Sequence, residues 1–135
     1  MIRKGTYILI FEMPETQIRI GALGTADIQK GTYCYVGSAM NGLDQRIGRH
    51  LSKNKKKRWH IDYLAMECDR MEAYEAAVPD LTECDLGKIV LDSGGTASPK
   101  GFGCSDCRCY THLFSLSERS KERLCSNPCL LPYGK

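Results

Sequence analysis

The spacing of apolar residues changes once along this chain, and that change limits its fold more than any other feature. Up to Ser38 they come in strand-length runs. Ile8-Leu9-Ile10-Phe11, opened by Gly5-Thr6-Tyr7, is continuous and rich in β-formers, the pattern of a buried strand. Met13-Pro14-Glu15-Thr16 reads as a turn, and Gln17-Ile18-Arg19-Ile20 alternates like a half-buried partner strand. Lys30 to Ser38 is a third strand, with Tyr33, Tyr35 and Gly37 on one face and Cys34 and Val36 on the other. After Asn41-Gly42 the period lengthens to four. Leu43, Ile47 and Leu51 then make a core-facing helical stripe, with Arg46 and His50 an i, i+4 pair beside it. Gly48 costs this helix about 1 kcal/mol relative to Ala, which points to close packing or backbone approach there. Short strands with hairpin-length links, then helices, predict an α+β domain around a small three-stranded antiparallel sheet.

Further along, Trp59 to Leu64 suggests a short helix with one buried face, and Met71 to Val78 an edge strand or extended segment. Pro79 to about Val90 or Leu91 reads as a helix with Asp80 as its cap and Glu83 three residues on. Residues 93–103 are rich in Gly, Ser and Pro and read as loop. This divides the chain into a domain over 1–114 and a polar C-terminal tail over 115–135, docked if at all through Cys125 and Cys129.

A length of 135 residues with 42% hydrophobic content is one globular domain and excludes disordered and collagen-like classes. The longest apolar run, Tyr7 to Phe11, is far below the roughly 18 residues of a membrane span. With no signal-peptide core after Met1, a cytoplasmic location is the simplest expectation, and the eight cysteines should be reduced thiols or metal ligands. Charge is concentrated rather than extreme. Residues 45–61 hold seven of the Arg and Lys residues and no acid, on a chain whose net charge is only +3. Such a stripe is either a phosphate-binding face or a solvated lysine loop.

Gly5-Thr6-Tyr7, then Tyr35-Val36-Gly37-Ser38-Ala39, then Arg46, then Arg49-His50 form an ordered set that resembles the GIY-YIG nuclease family. In particular it resembles an uncharacterised prokaryotic branch sometimes fused to endonuclease III-like proteins. That branch also has the Trp59-His60-Ile61-Asp62-Tyr63-Leu64 segment, the Glu83-Cys84 pair and the stretch from Gly101 to Phe114. In this chain the two triplets stand farther apart than in commoner members, separated by an inserted strand and loop.

The resemblance implies a three-stranded sheet with flanking helices and a metal-dependent endonuclease that hydrolyses DNA phosphodiester bonds, in repair or processing. It implies Tyr7, Tyr35, Arg46 and His50 as catalytic residues and Glu83 as the ligand of one Mg²⁺ or Mn²⁺. The residue types suit the chemistry. A guanidinium stays charged and forks onto phosphate oxygens. One carboxylate is enough for a magnesium ion that keeps its waters. A tyrosine can act as base only if a neighbour lowers its pKa from about 10, and His50 could be the base instead. Glu67, Glu72 and Glu75 compete with Glu83, which also has a purely structural explanation at a helix start.

Arg49, Lys53, Lys55, Lys56, Lys57 and Arg58 are the expected DNA-binding residues. Cys104, Cys107, Cys109 and His112 could hold a structural Zn²⁺, or Cys107 and Cys109 could be buried thiols on a short strand leading to Leu113 and Phe114. A Cys125–Cys129 disulfide is a further alternative. The partner expected is DNA and not a membrane. A domain this small has little surface for reading a long site, so a homodimer or a targeting protein is expected too. Two other functions fit the residues: a non-catalytic nucleic-acid-binding module on a degenerate nuclease fold, and a zinc-stabilised interaction domain.

Overall fold

The computed structural model describes residues 5–19, 24–39, 42–52, 60–77, 81–97 and 113–133. The fold is mixed α+β. Strands β1 (Gly5–Met13), β2 (Thr16–Arg19), β3 (Thr25–Ile28) and β4 (Gly31–Ala39) come first. Helices α1 (Leu43–Leu51) and α2 (His60–Glu67), strand β5 (Arg70–Ala76) and helix α3 (Glu83–Asp92) follow. The chain then adds β6 (Thr96–Ala97), β7 (Leu113–Leu116), α4 (Glu118–Cys125) and β8 (Leu130–Pro132).

The sheet has six strands in the order β6-β7-β4-β1-β5-β8, and every pairing is antiparallel. This corrects the expected three-stranded sheet. The strand expected as partner of the first, around Gln17 and Ile18, pairs instead with β3 in a separate two-stranded ribbon. β1 pairs directly with β4 along its whole length, from Gly5 against Ala39 to Met13 against Gly31. The β2-β3 ribbon therefore stands outside the pairing of β1 with β4.

Alternation on the central strands produces two cores. Tyr7, Leu9, Phe11 and Met13 of β1 share one face with Tyr35 and Ala39 of β4, under Leu43 and Ile47 of α1 and Ile61 and Leu64 of α2. Ile8, Ile10, Cys34 and Val36 line the other face, under Leu86 and Val90 of α3 and Leu124 of α4. The expected division of Tyr33, Tyr35 and Gly37 from Cys34 and Val36 is observed. β1 is central because both of its faces are apolar.

Four local expectations change. β5 is not an edge strand, because β8 pairs outside it through Ala76 and Leu130. The described part of the segment 115–135, expected as a polar tail, reaches both sides of the sheet: β7 pairs with β4, and β8 closes the far edge. Leu51 is 43% exposed, and His50 takes its place in the buried stripe of α1. Gly48 has open space where a Cβ would stand, so close packing does not explain it.

Candidate active site

The N-terminal end of β1 meets the C-terminal end of β4, and most of the described candidate residues gather there. Tyr7 and Gly37 are cross-strand partners. A Cβ on Gly37 would lie 2.5 Å from Cζ and Oη of Tyr7, so the phenol lies across the bare glycine backbone. In that position Tyr7 Oη is 2.8 Å from His50 Nε2, which α1 brings in from above. The Tyr7 and His50 rings tilt with centroids 5.5 Å apart. Tyr35 meets the same imidazole edge-on at 6.3 Å. Tyr33 does not crowd this group: its ring stacks with Phe11, and its hydroxyl donates to the Gln29 carbonyl at 2.9 Å.

Arg46 lies one turn before His50 on α1 and is half-buried. Its Nη1 donates to the backbone carbonyl of Ser38 at 3.0 Å, which carries the guanidinium around the end of β4. Glu83 arrives from the other layer. Its carboxylate Oε1 accepts a short hydrogen bond from the Ser38 hydroxyl. The expected Asp80 cap is not what starts this helix. Thr82 caps α3, its hydroxyl accepting from the Asp85 amide at 3.1 Å while the Asp85 carboxylate accepts from the Thr82 amide at 3.0 Å. With Asp85 as the reciprocal partner, Glu83 is released from capping and can reach the strands. The Thr82 backbone hydrogen bond holds the Asp85 carboxyl below its ordinary value, aided by the Thr82 hydroxyl and Lys88.

The acids that compete with Glu83 fall differently. Glu72 is paired in register with Ile10 and forms an ion pair with Arg70 at 3.0 Å, on the far face from Tyr7. Glu67 is exposed at the end of α2. Glu75 is the cross-strand partner of Tyr7 and shares its face. Arg49 is half-buried on α1. Lys53, Lys55, Lys56, Lys57 and Arg58, and the zinc candidates Cys104, Cys107, Cys109 and His112, lie outside the described residues.

Sequence reasoning passes over two hydroxyls. Thr6 and Ser38 are partners across β1 and β4, one residue along from the Tyr7 and Gly37 pair and on the opposite face. Thr6 Oγ1 donates to the Leu81 carbonyl at 3.0 Å, and Ser38 bonds Glu83. Their signal is the strand alternation itself, which sends neighbouring triplet residues to α1 and to α3.

Cysteine chemistry departs in part from expectation. Cys34, Cys68, Cys125 and Cys129 are free thiols, which removes the Cys125–Cys129 disulfide. Cys84, beside Glu83, is disulfide-bonded. Burial pushes the Cys34 thiol well above its ordinary value, and Cys125 adds to the shift. A hydrogen bond with Cys125, then burial, raises the Tyr74 phenol.

Among the described residues no group of three or more His, Cys, Asp and Glu side chains converges. A single half-buried carboxylate at Glu83 nevertheless suits Mg²⁺ or Mn²⁺, which bind through one or two carboxylates and retain water. No helix among the described residues is long and apolar enough to cross a membrane.

A family model described as "Domain of unknown function DUF123" matches residues 6–131. No match was found among curated proteins or among solved structures.

Proposed function

The chain belongs to the DUF123 family, and from the groups gathered at the Tyr7 end of its sheet we propose that it is a metal-dependent endonuclease acting on DNA, of the GIY-YIG type, with a role in repair or processing. The observation that carries this reading is the meeting of Arg46 and Glu83, from opposite layers, beside the hydrogen-bonded Tyr7 and His50. The antiparallel trio β4-β1-β5 at the centre of the sheet supports it as well.

Each group has a task in phosphodiester hydrolysis. Arg46 binds a non-bridging phosphate oxygen and offsets charge as the phosphorus becomes five-coordinate. Tyr7 and His50 move the proton: as the attacking water gives a proton to Tyr7 Oη, the phenol proton passes along the 2.8 Å bond to His50 Nε2. Tyr35 holds the imidazole edge-on, so that Nε2 keeps facing Tyr7. Glu83 would hold the ion, with Arg49 and the lysines of 53–58 on the DNA backbone. When bound, Mg²⁺ or Mn²⁺ supplies Lewis-acid stabilisation of the departing oxygen.

One observation favours a second reading. Tyr7 and His50 are only 1% and 2% exposed, as core residues are. If their bond is only structural, the chain binds nucleic acid without cutting it. The experiment that separates the two is cleavage of single-stranded, duplex, flapped and four-way DNA in Mg²⁺, Mn²⁺ or EDTA, beside Arg46→Ala and Glu83→Ala. The endonuclease reading expects metal-dependent cutting that both variants lose while most DNA affinity remains. Salt-sensitive binding with no cutting of any substrate establishes the binding module.

A further inference from the structure

Glu83 and Arg46 come from opposite layers, yet both end on one residue. Ser38 donates its hydroxyl proton to Glu83 Oε1 on the α3 side. Its carbonyl accepts from Arg46 Nη1 at 3.0 Å on the α1 side. The strand neighbour across from it, Thr6, fixes the Leu81 carbonyl, two residues before Glu83. Thr82 and Asp85 then lock the first turn of α3. Hydrogen bonds thus run from the sheet to the start of α3, alongside the packing of Leu86 and Val90, and through the Ser38 hydroxyl to the Glu83 carboxylate itself.

We infer that Ser38 is a positioning residue that orients the Glu83 carboxylate toward a divalent cation, at a fixed place relative to Arg46. The inference rests on the endonuclease reading above. A glutamate has three rotatable bonds, and a carboxylate that must meet a cation binds better if a hydrogen bond already holds its rotamer. A bond from a neutral hydroxyl to an ionised carboxylate is among the stronger ones available to a side chain. Carboxylates that bind metals are commonly held in this way, and losing the supporting partner costs tenfold to a hundredfold in affinity or activity.

The geometry separates two effects that otherwise travel together. Only the side chain of Ser38 serves Glu83, whereas only its backbone serves Arg46. Removing the hydroxyl should therefore weaken the response to metal and leave the arginine, and with it the phosphate contact, in place.

The test compares wild type with Ser38→Ala, Ser38→Cys and Ser38→Thr. Three readouts are used: Mn²⁺ affinity from the electron paramagnetic resonance of free Mn²⁺, the Mg²⁺ concentration for half-maximal cleavage, and DNA affinity in EDTA. Ala and Cys should each raise the Mn²⁺ dissociation constant and the Mg²⁺ requirement by about tenfold. DNA affinity in EDTA should stay at the wild-type value, and Thr, which keeps the hydroxyl, should stay near wild type in all three. Should Ser38→Ala unfold, its thermal midpoint reveals that, and the isosteric Ser38→Cys carries the test. Wild-type metal responses in Ser38→Ala or Ser38→Cys, alongside an inactive Glu83→Ala, overturn the inference and leave the endonuclease standing. A loss in Ser38→Thr as large as in Ser38→Ala overturns the hydroxyl as the cause. A wild type that cuts nothing in any metal overturns the reading and the inference together.

Discussion

The phenol of Tyr7 occupies the volume in which a side chain at Gly37 would have to stand, and from there it reaches His50. The glycine of the second triplet is thus a condition for the tyrosine of the first. Gly37→Ala should displace the ring, break the bond to His50 and destabilise the fold by about 1–3 kcal/mol, as overpacking does in a dense core. Gly5→Ala is the contrast, since its Cβ would meet Leu43 Cδ2 at an ordinary 3.6 Å. Urea unfolding should show a lowered midpoint for Gly37→Ala and little change for Gly5→Ala.

Gly48 sits within α1, and a methyl group in its place would meet nothing within 4 Å, so it carries the helix penalty with no packing return. Gly48→Ala should stabilise the protein by up to about 1 kcal/mol. A rise in the thermal midpoint with unchanged DNA affinity is the expected result. A fall would mean that something other than helix propensity selects glycine there.

Acid should loosen α3 through Asp85. Its folded value lies below the ordinary 3.8 because it accepts the Thr82 backbone hydrogen bond. A depressed carboxylate adds stability that is present above its unfolded value and is lost as the pH falls through the folded one. The loss therefore begins near 3.8 and continues below it. The protection of the Thr82 amide, as the ratio of intrinsic to observed exchange rate, should fall over that window in the wild type. In Asp85→Asn that protection should already be lower at neutral pH and nearly flat across the same range.

The free thiols should divide by burial. Cys34 is fully buried, and its ionisation is pushed well above 9.0, so at pH 8 it stays protonated and unreactive. Cys125 and Cys129 are half-buried. Alkylation of the native protein at pH 8, read by peptide mass spectrometry, should label Cys125 and Cys129 well before Cys34. Adding urea past the unfolding midpoint should remove the difference.

How much can be read in advance follows from how local each signal is. Strand alternation places Tyr33, Tyr35 and Gly37 against Cys34 and Val36, and the four-residue period begins α1 at Leu43, because both depend only on near neighbours. The partner of β1 cannot be read that way. Gln17 and Ile18 look like a strand beside it, but the choice between β2 and β4 is made by a nine-residue match with β4 that no local pattern reveals. Leu51 misleads for a related reason. The helix faces the sheet through His50, since Tyr7 and Tyr35 give the imidazole something to touch, and this turns Leu51 outward. The cap of α3 is ambiguous in sequence because Asp80 and Glu83 fit the same spacing rule as Thr82 and Asp85. Ser38 is invisible as a site residue because its importance lies in Glu83, 45 positions away.

The two flanks of the central sheet are laid down last. β7 joins β4 from residue 113 and β8 joins β5 from residue 130, so a nascent chain that has emerged only through β5 holds the β4-β1-β5 trio with both outer strands unpaired. Those open edges are templates for the wrong strand. Pairings so distant in sequence also form slowly. Quality control during synthesis should therefore bear most heavily on this protein in the interval before its closing strands leave the ribosome, and a premature stop between α4 and β8 should yield a chain prone to aggregate rather than a slightly shorter working domain.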